Sequence, residues 1–300
     1  MHPRKLVVAL LCVATVMLCA ASAFSQAEGA AEPILLRLKY ETGEVLNYET
    51  KMEGVGSVHI MGQAQAISMN GDLLITMTVE GVDEEGNYTI LTCSDMGQIA
   101  VTVAGTPVAP PNQNVQIRTK MSPRGEILNA EVIESANQPD TVGPWNDQLM
   151  KMLTGGFDLE RMLMGQKIAA FPEEPVKLGD EWTGSAPDIE MQGQTAPVTI
   201  TTKYGADVEI DGRNCVTLDS TCVVEAAALG EMAATLGMNG TTSTQTRTWF
   251  DPEAGRTVAS MDQAQVNMQV TLPAAMTGGQ AATVFLEMFV NSQTKLLVQE

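Results

Sequence analysis

Apolar and polar residues alternate with a period of two along much of the chain, which predicts strands with one buried face. The clearest runs are Leu73 to Val79, Tyr88 to Thr92, Val115 to Thr119, Val198 to Thr202 and Gln265 to Thr271. Turn-forming residues punctuate the pattern: Asp83-Glu84-Glu85-Gly86-Asn87, Pro123-Arg124-Gly125, Asp211-Gly212 and Asp251-Pro252-Glu253-Ala254-Gly255. Short strands reversed by glycine turns are hairpins, so the expected fold is mainly β, a curved antiparallel sheet or half-barrel. Thr106-Pro107-Val108-Ala109-Pro110-Pro111-Asn112 breaks the pattern and is expected as a longer exposed loop, because proline cannot donate to a sheet.

One stretch changes period. Trp145, Leu149, Met152 and Leu153 fall at i, i+4, i+7 and i+8, and the spacing resumes at Leu159, Met162 and Leu163 after Gly155-Gly156. That is helical spacing, and Pro144 suits a first turn. Phe171-Pro172-Glu173-Glu174-Pro175-Val176 is too rich in proline for a helix and is expected as an extended connector into Gly179-Asp180-Glu181-Trp182. The expected organisation is an N-terminal β half over residues 26–142, a helical insertion over 143–170 packed against or inside the sheet, and a C-terminal β half over 171–300. The two halves form one continuous domain in this reading.

The halves share landmarks. Gly43-Glu44-Val45-Leu46-Asn47-Tyr48 corresponds to Gly179-Asp180-Glu181-Trp182, the Gly86 turn to the Gly212 turn, and the strand end at Gly125 to that at Gly255. The offsets are 136, 126 and 130 residues, so three turns stay nearly in step in the same order. A shared hairpin plan in both halves accounts for this.

These same residues carry a resemblance. Pro172-Glu173-Glu174-Pro175-Val176-Lys177-Leu178-Gly179-Asp180-Glu181-Trp182, the Asp-x-x-Gly-Asn-Tyr turn at 83–88 and the Pro-x-Gly strand end at 123–125 resemble a family of exported bacterial β-sheet proteins of unknown function. The likeness covers most of the chain beyond residue 25, and its motifs are turns and strand edges, so it implies architecture and no chemistry. More distantly, the plan is similar to periplasmic lipoprotein-carrier half-barrels, where a curved sheet wraps a helical segment and makes an apolar cleft. That second likeness rests on topology alone.

The N-terminus sets an address. Arg4 and Lys5 precede an apolar run from Leu6 to Ala20 and the small residues Ala21-Ser22-Ala23, the order of a cleavable secretory signal over residues 1–25. Cleavage after Ala23 or after Ser25 satisfies the small-residue rule equally. The apolar run is shorter than the roughly 20 residues that cross a bilayer, so an exported, periplasmic or extracellular product is expected, with no transmembrane segment. Cys12 and Cys19 each follow a leucine, which disfavours lipid attachment.

Charge narrows the partners. Without Arg4 and Lys5, 15 of the 17 basic residues face 36 acidic ones, a net charge of −21. Nucleic acid is excluded as a partner and anionic membrane surfaces are disfavoured. Three of the five cysteines lie beyond the leader, Cys93, Cys215 and Cys222. On one strand Cys215 and Cys222 would stand about 23 Å apart, and a turn at Asp219-Ser220 would be needed to pair them. Buried free thiols are expected.

Candidate chemistry is sparse. His59 is the single histidine beyond the leader, which removes Ser-His-Asp, Cys-His and multi-histidine zinc sites. His59 and Met61, with Met69, would give soft copper ligands but not a complete site. Ser292-Gln293-Thr294-Lys295 matches a Ser-x-x-Lys pattern, yet it lies in strand-like surroundings rather than at a helix start. Asp83-Glu84-Glu85 lacks the alternating spacing of a calcium loop. Asn87-Tyr88-Thr89 and Asn239-Gly240-Thr241 are sequons that coincide with expected turns. No catalytic, cofactor or metal residue is assigned.

Methionine is abundant, at 19 residues, against 4% aromatics. A flexible, polarizable side chain fills cores and also lines surfaces that adapt to acyl chains. The expected function is a non-catalytic exported envelope protein that binds an apolar small molecule or an envelope protein partner. The alternatives are a structural or assembly factor of the envelope and an unrecognised hydrolase built on paired carboxylates.

Overall fold

In the computed structural model the described residues are 32–60, 62–95, 99–108, 114–135, 168–191, 194–235, 237–272 and 281–297, and the fold is that of the unit Ile34–Glu300. Among them, thirteen strands form one antiparallel sheet. The first run is β1 (Val45–Ile60), β2 (Gln63–Val82), β3 (Tyr88–Asp95), β4 (Ala100–Val103), β5 (Thr106–Val108), β6 (Asn114–Met121) and β7 (Ile127–Ser135). The second is β8 (Glu181–Met191), β9 (Gln194–Ile210), β10 (Arg213–Glu225), β11 (Asn239–Asp251), β12 (Arg256–Leu272) and β13 (Ala282–Leu297). The order across the sheet is β7-β6-β3-β2-β1-β13-β12-β11-β10-β9-β8, with the β4–β5 hairpin off the path against β2. Each run is a meander, and the two are joined where β1 pairs with β13 from Asn47↔Leu297 to Ile60↔Val284. The sheet is not closed: β7 and β8 are its edges.

Alternation makes one face of this sheet apolar. On β13, Ala282, Val284, Leu286, Met288 and Val290 are buried while Phe285, Glu287 and Phe289 between them are exposed. The apolar side faces inward because the sheet curls. Tyr88 and Ile90 of β3 and Met121 of β6 pack in the same cluster as Tyr204 of β9, Leu218 of β10 and Phe250 of β11. These strands lie on opposite sides of the β1–β13 seam, so the two wings turn the same face toward each other. Gly54 on β1 helps: a Cβ there would lie 2.9 Å from Val290 Cγ2, so the glycine admits the close approach of its neighbour.

We call the end of the sheet that carries the β2–β3, β6–β7, β9–β10 and β11–β12 turns the lower end. Two extended segments, 34–40 and 168–176, cross it. Ile34 and Val176 exchange backbone hydrogen bonds of 2.9 and 2.8 Å. The Leu38 amide donates to Pro123 O at 2.7 Å, that of Phe171 to Arg124 O at 2.7 Å and that of Lys39 to Gly255 O at 3.1 Å. Gly255 has φ 67°, and a Cβ there would sit 2.6 Å from the Lys39 backbone nitrogen, so the crossing requires glycine at this turn. Leu36, Leu38, Phe171 and Val176 from these segments complete the lower cluster. Phe171 and Phe250 are fully buried with ring centroids 4.9 Å apart.

Every strand expected from period two lies within an observed strand, and every expected turn joins two strands. Gly43 and Gly179 precede β1 and β8, Gly86 and Gly212 lie in the β2–β3 and β9–β10 turns, and Gly125 and Gly255 lie in the β6–β7 and β11–β12 turns. One expectation needs correction. Thr106–Val108 is a strand with Pro107 inside it, not loop; β5 pairs on one side only, so the missing proline N–H disrupts no second ladder. The helical insertion expected over 143–170 lies outside the described residues except for 168–170, which are not helical. Helical structure among the described residues occurs instead at Ala226–Leu229, a 3-10 turn, continuing into α1 (Gly230–Thr235). The expected leader over 1–25 also lies outside the described residues.

Candidate functional site

The concave face changes character from the lower end upward. Above the lower cluster comes a polar band. Ser292, Asp262, Thr246, Ser220, Thr202 and Trp182 stand in register across β13, β12, β11, β10, β9 and β8. Ser292 Oγ and Thr246 Oγ1 each donate to the Asp262 carboxylate at 2.9 Å. Thr202 Oγ1 and Ser220 Oγ are 2.9 Å apart, and the Ala169 amide donates to Thr202 Oγ1 at 2.8 Å. One inward position lower, Thr50 and Thr294 share a hydrogen bond of 2.9 Å in line with Ser260 and Thr248.

Three buried polar atoms on this face have no hydrogen-bond partner among the described residues: Thr119 Oγ1, Thr248 Oγ1 and Trp182 Nε1. Thr119 and Thr248 are each 2% exposed and lie two residues from Met121 and Phe250 of the lower cluster, against which Trp182 also packs. Such atoms cost about 1–3 kcal/mol each when buried.

Above the band the surface is apolar and less covered. Val266, Leu286, Met288 and Val290 are buried, whereas Met69, Val101, Val103 and Met268 beside them are half-buried. The inward Ala264 of β12 and Cys222 and Val224 of β10 are half-buried too. Met52, Met69, Met77, Met121, Met268 and Met288 all contribute to the two inward clusters. Methionine thus recurs along this face among its valines, leucines and isoleucines.

The sequence candidates do not converge there. Met69 packs inward, but His59 lies on the opposite face, beside Phe285 in register, with Ser57 Oγ 3.2 Å from its Nε2. Met61 lies outside the described residues. Ser292 points inward to Asp262 while Lys295 points outward to Asp211 at 2.9 Å, so the Ser-x-x-Lys pair is split by the sheet. Asp83 is occupied by the Glu85 and Asn87 amides at 3.0 and 2.8 Å and by the Lys120 ammonium at 2.9 Å. The Asn87 side chain is buried against Asp83 and Glu85, whereas Asn239 is exposed at the start of β11. Among the described residues no three His, Cys, Asp or Glu side chains come together in a way that would hold a metal.

Electrostatics disfavours a reactive thiol. Cys93 and Cys215 are free thiols. Burial, and then the Glu80 carboxylate, pushes the Cys93 thiol up; burial, and then Asp251, does the same to Cys215. Both therefore stay protonated near neutral pH. Burial likewise raises the phenols of Tyr40 and Tyr48, which frame the lower end near the Glu44–Arg256 ion pair.

The polar band was missed from sequence, although its signal is there. Thr242, Thr244, Thr246 and Thr248 occupy the inward positions of β11 at period two, where a strand over an ordinary core would carry valine or isoleucine. Trp182 was read as a turn landmark, and its indole was not expected to face the interior. Fold and site together define an open, curved antiparallel sheet with a methionine-bearing concave face crossed by a hydroxyl and carboxylate band. In comparisons with known proteins, no family model and no curated protein matches the chain.

Proposed function

We propose that this chain is a non-catalytic, exported envelope protein that holds an apolar ligand against the concave face of its sheet. The observation that carries this reading is the gradient along that face. Its lower end is sealed by the two crossing segments and a dense aromatic cluster. Its upper part presents half-covered methionine and valine side chains in a sheet whose edges do not meet. A half-covered apolar concavity is the default place for a ligand, and methionine adapts to flexible chains. The two meanders are read as two copies of one hairpin plan, related by the Gly43/Gly179, Gly86/Gly212 and Gly125/Gly255 landmarks.

One observation favours the second reading, a structural or assembly factor. Edge strand β7 pairs only with β6 and exposes Leu128, Val132 and Ile133 at 47%, 44% and 41%. An exposed apolar edge is a template for another strand. Native mass spectrometry of the gently extracted mature protein separates the two. The carrier reading predicts a co-purified apolar adduct that solvent extraction removes. A clean apo mass overturns it and leaves the assembly reading.

A further inference from the structure

The convex face, opposite the apolar interior, carries an aromatic strip with a single charged side chain. Outward positions of β1, β13 and β12 lie in register as three rows: His59, Phe285 and Gln269; Ser57, Glu287 and Asn267; Val55, Phe289 and Gln265. β2 adds Ala64, Ala66 and Ser68 to these rows, and β11 adds Asn239, Thr241 and Ser243. These fifteen positions hold one carboxylate, Glu287, and no lysine or arginine, in a chain that is 18% charged with a net charge of −19. Phe285 and Phe289 are 46% and 41% exposed, and Val55 is 63% exposed. Four residues apart on one strand, the two rings stand about 13 Å from each other.

The surroundings of the rings select the partner. A protein partner with an apolar surface needs a contiguous apolar patch, but Glu287 and the amides break this one into separate ring faces. A second copy would need roughly 800 Å² per partner, far more than two rings and a valine supply, and would bring another −19 against the same charge. A neutral sugar chain meets neither obstacle. The C–H face of a pyranose stacks on an aromatic ring, where dispersion and the negative ring face both favour it. Its hydroxyls both donate and accept, as do glutamine and asparagine side chains, and a carboxylate accepts from hydroxyls.

We propose that this strip binds a neutral glycan chain, with pyranose rings stacked on Phe285 and Phe289 and hydroxyls held by Gln265, Gln269 and Glu287. It lies on the face opposite the proposed apolar site, so either proposal stands or fails without the other.

Affinity electrophoresis in native gels tests it, with laminarin, galactomannan and dextran as neutral probes and alginate as the acidic control. At least one neutral probe retards the wild-type protein, and alginate does not. The double variant Phe285→Ala/Phe289→Ala weakens that binding by at least about tenfold. Its circular dichroism stays that of wild type, because both rings lie on the outer face and their removal opens no cavity in the core. Phe289→Tyr keeps binding, since it keeps the ring. Migration unaffected by every neutral probe overturns the proposal, as does retardation that the double variant leaves intact. Sedimentation as a concentration-dependent dimer that the double variant dissolves assigns the strip to self-association, and also overturns it.

Discussion

The two ends of the concave face are made from the same strands yet are held in different ways. At the lower end, segments 34–40 and 168–176 cross between the wings, and their cations bind backbone carbonyls: Arg37 donates to Leu36 O, Pro172 O and Glu173 O at 2.6–2.8 Å, and Lys39 to Pro252 O and Glu253 O at 2.9 and 3.0 Å. At the upper end the inward side chains are aliphatic or thioether groups, of which Val266, Leu286, Met288 and Val290 are buried while Met69, Val101, Val103 and Met268 are only half covered. One end is locked by aromatic packing and directional bonds, and the other by flexible apolar contact. Stability concentrated at one end leaves the opposite end free to adapt to an occupant.

The largest effect that sharpens this contrast is expected from Phe171→Ala. The ring is fully buried against Phe250, and removing it leaves a cavity among side chains fixed from both wings. The loss is about 3–5 kcal/mol. Met268→Ala at the upper end removes a half-buried side chain next to neighbours that can relax, and costs under about 2 kcal/mol. Urea unfolding with matched slopes measures both. Equal losses would break the comparison.

A smaller effect of opposite sign marks the boundary between the ends. Thr248 has a buried hydroxyl without a partner, so Thr248→Val removes an unsatisfied group while keeping the shape, and stabilises by about 1 kcal/mol. Thr246→Val, two residues along the same face, removes a donor from Asp262 and is destabilising by about 1–3 kcal/mol. Opposite shifts in thermal midpoint for these two isosteric changes would show that the band is part satisfied and part orphaned. Two losses of equal size would show that the Thr248 hydroxyl has a partner after all.

The lower end was also the more legible in sequence. Asp83-x-x-Gly86, Pro123-x-Gly125 and Asp251 to Gly255 announce their turns through local chemistry, as an aspartate or serine accepts nearby amides and a glycine takes the positive φ. The extended course of 171–176 followed from its prolines. What sequence did not disclose was nonlocal: that Phe171 enters the core, that residues 34–40 cross beside it, and that threonines on β11 line up with Ser220 and Asp262. Register across six strands decides those contacts, and no single strand encodes it. Ala226-Ala227-Ala228-Leu229 has strong helix propensity and was overlooked because the heptad-like spacing at 145–163 drew the helical assignment.

The smallest expected effect tests whether acid loosens the lower end through its turns. Asp83 is held below the usual carboxylate range, chiefly by the Lys120 ammonium and then by the Asn87 amide. A carboxylate whose folded pKa is depressed contributes stability above its unfolded value, near pH 3.9, and loses that contribution as pH falls through the lower folded value. Because Asp83 is solvent-exposed the contribution is small, and salt screens its Lys120 part while leaving the amide part. The urea midpoints of wild type and Asp83→Asn should therefore differ most above about pH 5 and converge as the pH drops below about 4. At high salt the gap at neutral pH narrows without closing, since Glu85 and Asn87 still donate to the side chain. A gap that stays constant from neutral to acid pH would mean that the asparagine perturbs the turn by shape alone, and would break the link between acid and the turns of the lower end.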